Sequence, residues 1–376
     1  MKIKNLIVFG TRPEAIKMAP LIKEFQKHPQ VFETKVCITA QHREMLDQVL
    51  DFFEIVPDFD MDLMKPDQNL YSLTAEIING LKPVLDGFKP DFVFVHGDTT
   101  TTMASSIAAF YSGAKVCHIE AGLRTFNKRS PFPEEMNRSV TGSIADHHFA
   151  PTPTARQNLL RENIREEQIE ITGNTVIDAL QLSVEKISRH DYINPEIENL
   201  KAIWDISKKL ILVTGHRREN HGQGFIDICS ALAEIAHKHS DVQIIYPVHL
   251  NPNVQKLVYE ILKDIDNIKL ISPLSYPSFV WLMNKSHLII TDSGGVQEEA
   301  PSLGKPVLVM RNTTERPEAV EAGTVILTGT DRYKIVSRTE HLLQDENAYR
   351  NMALQHNPYG DGKACQRIVS YLANRK

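Results

Sequence analysis

Three carboxylates stand where turns would follow apolar runs. Asp98 comes after Phe92 to His96, Glu120 comes after Lys115 to Ile119, and Glu134 opens Glu134-Glu135 behind the loop Ser130-Pro131-Phe132-Pro133. Carboxylates held close shift one another's pKa, so that one donates a proton while its neighbour acts as a base. Asp98 precedes Thr99-Thr100-Thr101-Thr102 and would also suit the cap of a helix. Glu120 and Glu134 have no such alternative use. Arg138, four residues beyond Glu134 on an expected helix, is spaced to hold that carboxylate.

Two further segments suit anions. In Phe9-Gly10-Thr11-Arg12-Pro13-Glu14-Ala15-Ile16-Lys17, Pro13 marks the first turn of a helix. Arg12 and Lys17 then crowd the end that the macrodipole already makes positive, so they are either solvated cations or partners of an anionic ligand. The run Thr291-Asp292-Ser293-Gly294-Gly295-Val296-Gln297-Glu298-Glu299-Ala300 places small residues between a buried strand and a helix start. Successive backbone N–H groups there cradle phosphate, and Glu299, a turn further on, is suited to ribose hydroxyls. Arg316, Arg311 and His216 stand at or after other strand ends of the same half. Histidines number 15, yet neither His118-x-Glu120 nor His147-His148 has the partner spacing of a zinc site, so no metal is expected. No G-x-G-x-x-G follows a strand, which leaves NAD without support.

The elements that must carry these residues read as alternating strands and helices, the pattern of an α/β fold. Expected strands are Leu6 to Phe9, Thr34 to Thr39, Phe92 to His96, Lys115 to Ile119 and His147 to Ala150. A second set comprises Leu210 to Thr214, Gln243 to Pro247, Lys269 to Ile271, Leu288 to Thr291 and Val307 to Met310. The halves echo each other: Leu6 to Arg12 matches Leu210 to Arg217, and Phe92 to His118 matches Leu288 to Val309 in order of strand, turn, helix and strand. Two Rossmann-like, doubly wound domains facing a central cleft follow, one over 1–172 with a returning helix 362–376 and one over 173–361. Such sheets bind ligands beyond the carboxyl ends of their strands.

A length of 376 residues agrees with two domains. The formal charge of −5 offers no basic surface for nucleic acid, and no apolar run approaches the roughly 18 residues of a bilayer crossing. Cys37, Cys117, Cys229 and Cys365 lack C-x-x-C spacing and read as reduced buried thiols. With no secretory signal in the opening residues, the cytoplasm is the expected location.

Assembled, these motifs closely resemble the non-hydrolysing UDP-N-acetylglucosamine 2-epimerases. The resemblance runs from Gly10-Thr11-Arg12-Pro13-Glu14-Ala15 through His96-Gly97-Asp98-Thr99, Glu120-Ala121-Gly122-Leu123-Arg124, Gly215-His216-Arg217-Arg218-Glu219 and Thr314-Glu315-Arg316-Pro317-Glu318 to Asn357-Pro358-Tyr359-Gly360-Asp361-Gly362. It implies a GT-B-like fold, a homodimer, and interconversion of UDP-GlcNAc and UDP-ManNAc through a glucal, without a cofactor. It further implies catalytic roles for Asp98, Glu120, Glu134 and His216, and substrate contacts at Arg12, Lys17, Arg138, Phe279, Ser293, Gly294, Gly295, Glu299 and Arg316. Leu274 stands where many members carry a glutamine. A second nucleotide-sugar site is implied near Gln41, His42, Arg217 and His249, where Glu44 and Asp67 occupy positions that regulated members fill with Gln and Arg. A hydrolysing epimerase and a GT-B glycosyltransferase are the alternative activities.

Overall fold

Phe92 to His96 is buried at every position, as is Leu288 to Thr291. A strand covered by helices on both faces needs such a continuous run, whereas a half-exposed strand alternates. The structure, a computed structural model, describes residues 2–39, 43–63, 68–220, 222–314 and 316–374. Gln41, His42 and Asp67 lie outside the described residues.

The chain divides into two compact units, Met1–Leu182 with Tyr359–Lys376, and Ser183–Pro358. The first holds strands β1 (Ile3–Phe9), β2 (Phe32–Ile38), β3 (Phe59–Asp60), β4 (Phe92–His96), β5 (Lys115–Ile119), β6 (His147–Ala150) and β7 (Ile169–Ile171). The second holds β8 (Lys209–Thr214), β9 (Val242–Pro247), β10 (Ile268–Ile271), β11 (Leu288–Thr291), β12 (Val307–Val309) and β13 (Val325–Leu327). The sheet orders are 3-2-1-4-5-6-7 and 10-9-8-11-12-13, and adjacent strands run parallel. Each unit is therefore the doubly wound α/β sheet expected. The expected strands are present with ends shifted by a few residues, and β3, β7 and β13 are additional short strands at sheet edges.

Strand order decides where the site can form. In the first unit β1, β4 and β5 are parallel neighbours, and the order in which strands are added to the sheet reverses between β1 and β4. Their carboxyl ends release Gly10, Gly97 and Glu120 side by side. In the second unit β8, β11 and β12 repeat that arrangement and release Gly215, Asp292 and Met310. Each switch point is where such sheets open a crevice.

Local chemistry fixes the helix starts. Thr11 and Glu14 form a capping box on Arg12–Gln26, and Thr99 caps Thr100–Ser112 by accepting from Thr102 N. Asp98 is thus not the cap. Beneath the helices, Leu6, Val8, Ile77, Leu81, Val93 and Val95 fill one core, while Ile211, Val213, Phe225, Tyr246 and Leu308 fill the other.

The last helix, Ala364–Ala373, packs on Arg12–Gln26 and is anchored by Asp178, whose carboxylate accepts Ala364 N at 3.2 Å and Cys365 N at 2.9 Å. Burial raises the Asp178 carboxyl despite these donors. Asp178→Ala strips the helix of its acceptor and is expected to cost about 2 kcal/mol. Urea denaturation measures this, and an unchanged midpoint would show that the final helix docks by apolar contact alone.

Candidate functional site

Glu120 is the centre of the first unit's strand-end cluster. It is 5 % exposed and sits at φ 61°, the left-handed region that a non-glycine residue enters only when its surroundings hold it there. Its Oε2 meets the Lys17 ammonium and accepts Asn174 Nδ2 at 3.0 Å. Its Oε1 accepts Arg138 at 3.0 Å, and Arg138 also donates to the Glu120 backbone carbonyl at 2.8 Å. Burial alone would raise this carboxyl, but Lys17, His96 and Arg138 outweigh it and hold Glu120 well below the usual carboxylate range. Glu120 is therefore an anion at neutral pH.

The same guanidinium reaches Asp98 Oδ2 at 2.8 Å, so Arg138 bridges two of the three expected acids. Asn137 Nδ2 fixes the Asp98 carbonyl at 2.9 Å. Gly97 turns between them at φ 67°. Glu134 is the first residue of the helix Glu134–Ile144 and is partly exposed. The expected Glu134–Arg138 pair does not form: Arg138 is 7 % exposed and turns to Glu120 and Asp98 instead. An exposed pair one helical turn apart gains only tenths of a kcal/mol, and the buried Glu120 carboxylate, with the part-buried Asp98 beside it, gains more from Arg138. Lys17 likewise faces an anion of the protein itself. Arg12 opens its helix and is half-buried.

Two residues of this cluster went unread in the sequence. His96 Nε2 lies 3.7 Å from Glu120 Oε2, and burial pushes the imidazole down to about 4, so it is neutral at pH 7. Its place as the last residue of β4 was the available signal. Asn174 carried none, because a polar residue after a glycine reads as a turn.

In the second unit Asp292 is fully buried, and its Oδ2 accepts the backbone N–H groups of His216 and Arg217, both at 2.9 Å. The Arg217 side chain returns to the Asp292 carbonyl at 3.1 Å. His249 stacks on His216 with centroids 5.2 Å apart. Ser293 precedes the short helix Gly294–Glu299 and leaves its side chain out of the cap. Arg316 lies over Gly294 so closely that a Cβ there would meet the guanidinium carbon at 2.9 Å and would displace the end of the arginine side chain. Arg316 also donates to Glu298 at 2.7 Å, a carboxylate that sequence reasoning passed over in favour of Glu299. Glu299 accepts the Tyr276 hydroxyl at 3.2 Å, and Phe279 lies one turn beyond Tyr276. Among the described residues no group of three or more His, Cys, Asp or Glu side chains could hold a metal ion.

Chemically, the first cluster provides fixed carboxylates beside two cations, as proton transfer requires. The second provides backbone N–H groups, a guanidinium and an imidazole, as a diphosphate requires.

A family model described as UDP-N-acetylglucosamine 2-epimerase matches residues 23–373. The UDP-N-acetylglucosamine 2-epimerase of Escherichia coli O157:H7 is 60 % identical over 374 residues, covering 100 % of this chain and 99 % of the relative. That of Campylobacter jejuni is 53 % identical over 381 residues, covering 99 % and 98 %. The crystal structure of the Neisseria meningitidis UDP-GlcNAc 2-epimerase bound to UDP-GlcNAc has a TM-score of 0.90 at 53 % identity and covers 99 % of this chain and 100 % of its own. The Methanocaldococcus jannaschii enzyme in complex with UDP-GlcNAc and UDP has a TM-score of 0.80 at 33 % identity, with coverage of 99 % and 100 %.

Glu120→Gln keeps the side-chain shape but leaves Lys17 and Arg138 without their shared anion, and is expected to cost about 3 kcal/mol at pH 7. Because the folded carboxyl is depressed, this stability is present above the unfolded carboxyl range near pH ~4 and is lost as pH falls further. The gap between the two proteins should therefore narrow on acidification in urea titrations. A gap independent of pH would remove the charge from the account.

Proposed function

The chain belongs to the UDP-N-acetylglucosamine 2-epimerase family, and we propose that it interconverts UDP-N-acetylglucosamine and UDP-N-acetylmannosamine by inverting C2. The observation that carries the reading is the ion-paired cluster of Asp98, Glu120, Lys17 and Arg138 above neighbouring strand ends, with Glu120 and Arg138 buried at its centre. No carbonyl acidifies the C2 hydrogen of the sugar, so direct deprotonation and reprotonation would be very slow. Elimination avoids the difficulty. A base takes the C2 proton, the electron pair forms the C1–C2 double bond, and the C1–O bond breaks to release UDP and 2-acetamidoglucal. A proton then reaches the opposite face of C2 while UDP re-adds at C1.

Two proton-transfer groups are needed, and Asp98, Glu120 and Glu134 are the proposed suppliers. The ionised Glu120 is able to accept but not to donate in the resting protein. Lys17 and Arg138 stabilise the negative charge of the acids and contact the substrate. In the second unit Ser293, Gly294, Gly295, Arg316 and His216 suit the charge of the departing diphosphate, and Glu299 suits the ribose. Arg12 and Phe279 are further proposed contacts, and Arg217 and His249 retain a proposed part in a second nucleotide-sugar site.

All four cysteines are free and buried, which supports a reducing compartment and hence the cytoplasm. No described helix is long and apolar enough to cross a membrane. The reading includes a homodimer that supplies N-acetylmannosamine units for surface polysaccharide.

Incubation with UDP-GlcNAc in D₂O, without nicotinamide or sugar acceptor, should yield UDP-ManNAc carrying deuterium at C2 by NMR. Retention of the original hydrogen would exclude exchange through side chains. Free ManNAc with stoichiometric UDP would move the activity to the hydrolysing class, and dependence on an acceptor to a glycosyltransferase. Asp98→Asn and Glu134→Gln should each lower kcat by about 10²-fold with UDP affinity retained. Wild-type turnover in either variant would remove that residue from the mechanism.

A further inference from the structure

Asp292 presents two carboxylate oxygens with unequal employment. Oδ2 accepts the N–H groups of His216 and Arg217 and also Asn220 Nδ2 at 3.3 Å. Oδ1 is buried and accepts no hydrogen bond. A buried carboxylate oxygen without a donor is unfavourable and calls for a specific reason. The group that faces it is His216 Nδ1, 3.5 Å away, beyond hydrogen-bond length but within reach of a small rotation of the ring. The His216 side chain is 44 % exposed, and Nε2 is the ring nitrogen turned away from Asp292.

Holding the turn after β8 uses one oxygen only. An asparagine would serve that purpose, so the second, charged oxygen has no part in the backbone geometry. We propose that Asp292 is a positioning residue that keeps His216 in the Nδ1–H tautomer, so that Nε2 is the ring atom offered to the departing diphosphate. The proposal rests on the reading of the site given above. Any proton the imidazole gains then resides on Nε2, from which it donates a hydrogen bond to the phosphate oxygen as the C1–O bond breaks. Burial pulls His216 below its ordinary value, the Asp292 charge opposes that pull, and His249 and Arg217 add to it. Asp292 is thus the neighbour that favours the cationic ring, and the stacked His249 limits the ring's orientation.

The test is Asp292→Asn, which keeps an oxygen for the two backbone N–H groups and turns an NH₂ toward Nδ1. That substitution forces Nδ1 to accept and moves the proton to Nε2. Long-range ¹H–¹⁵N NMR of the histidines in the ligand-free protein, with His216 assigned from His216→Asn, should show Nδ1–H in the wild type and Nε2–H in D292N. The His216 ring in D292N keeps an Nε2–H but loses the Asp292 charge that favours the imidazolium, so with UDP-GlcNAc its kcat should fall by about 10²-fold or more while KM changes by less than about fivefold. In a His216→Asn background the same change should cost nothing further, because Asp292 acts through the imidazole. An Nε2–H tautomer in the wild type overturns the proposal, and so does an equal loss from D292N with and without His216. If the wild type failed to epimerise UDP-GlcNAc while the tautomer still switched in D292N, the functional reading would fall and the Asp292–His216 relation would stand.

Discussion

A carboxylate taken out of water at the end of a parallel strand is unfavourable unless donors meet it, and that requirement organises both units. Glu14, Glu120 and Asp292 are nearly inaccessible, and each draws donors from a segment other than its own. Glu14 accepts the N–H groups of Gly10 and Thr11 and the Thr99 hydroxyl, which ties the turn after β1 to the turn after β4. Glu120 joins the end of β5 to Lys17, Arg138 and Asn174. Asp292 joins the end of β11 to the turn after β8. Because the site residues project from these turns, their placement depends on three carboxylates whose solvation has been replaced by protein donors.

Glu120 shows how far that replacement goes. A left-handed backbone at a glutamate is unfavourable by the order of 1 kcal/mol, and the strain persists only if the neighbours fix it. Lys17, Asn174 and Arg138 supply that fixation, while Gly97 beside the Glu120 carboxylate turns the chain at φ 67°, where glycine is favoured. The strained turn aims the carboxylate at the edge between β4 and β5 instead of along the strand. Local preference is overridden where the chemistry is placed, a pattern expected of functional sites.

The α/β class, the buried strands and the strand-end acids were legible because continuous apolar runs and the residues that follow them are local signals. What joins those residues was not. Lys17 and Glu120 are 103 positions apart and meet only because the sheet places β1, β4 and β5 in sequence across its width. No apolar pattern encodes that order. Arg138 misled for the opposite reason, since helical spacing suggested Glu134 while burial delivered the guanidinium to Glu120 and Asp98. Edge strands β3 and β13 span two and three residues, too short to display a period. Asp292 and Glu298 were visible as letters of a glycine-rich run, but their work is to hold His216, Arg217 and Arg316, and a sequence does not show which of several acids faces inward.

The two units apply one device to two tasks that differ in charge. In the first, Lys17 and Arg138 stand against Asp98 and Glu120, two cations to two carboxylates. A balanced cluster takes up or gives back a proton without leaving a large unscreened charge in a place of low dielectric, which suits transfer to and from carbon. In the second, Oδ2 of the buried Asp292 accepts backbone N–H groups, and Arg316 donates to Glu298 while its guanidinium lies over Gly294. The duplicated sheet therefore builds two different environments by changing which side chains follow the same three strands: carboxylates paired with cations in one unit, and a glycine-rich turn beneath a guanidinium in the other.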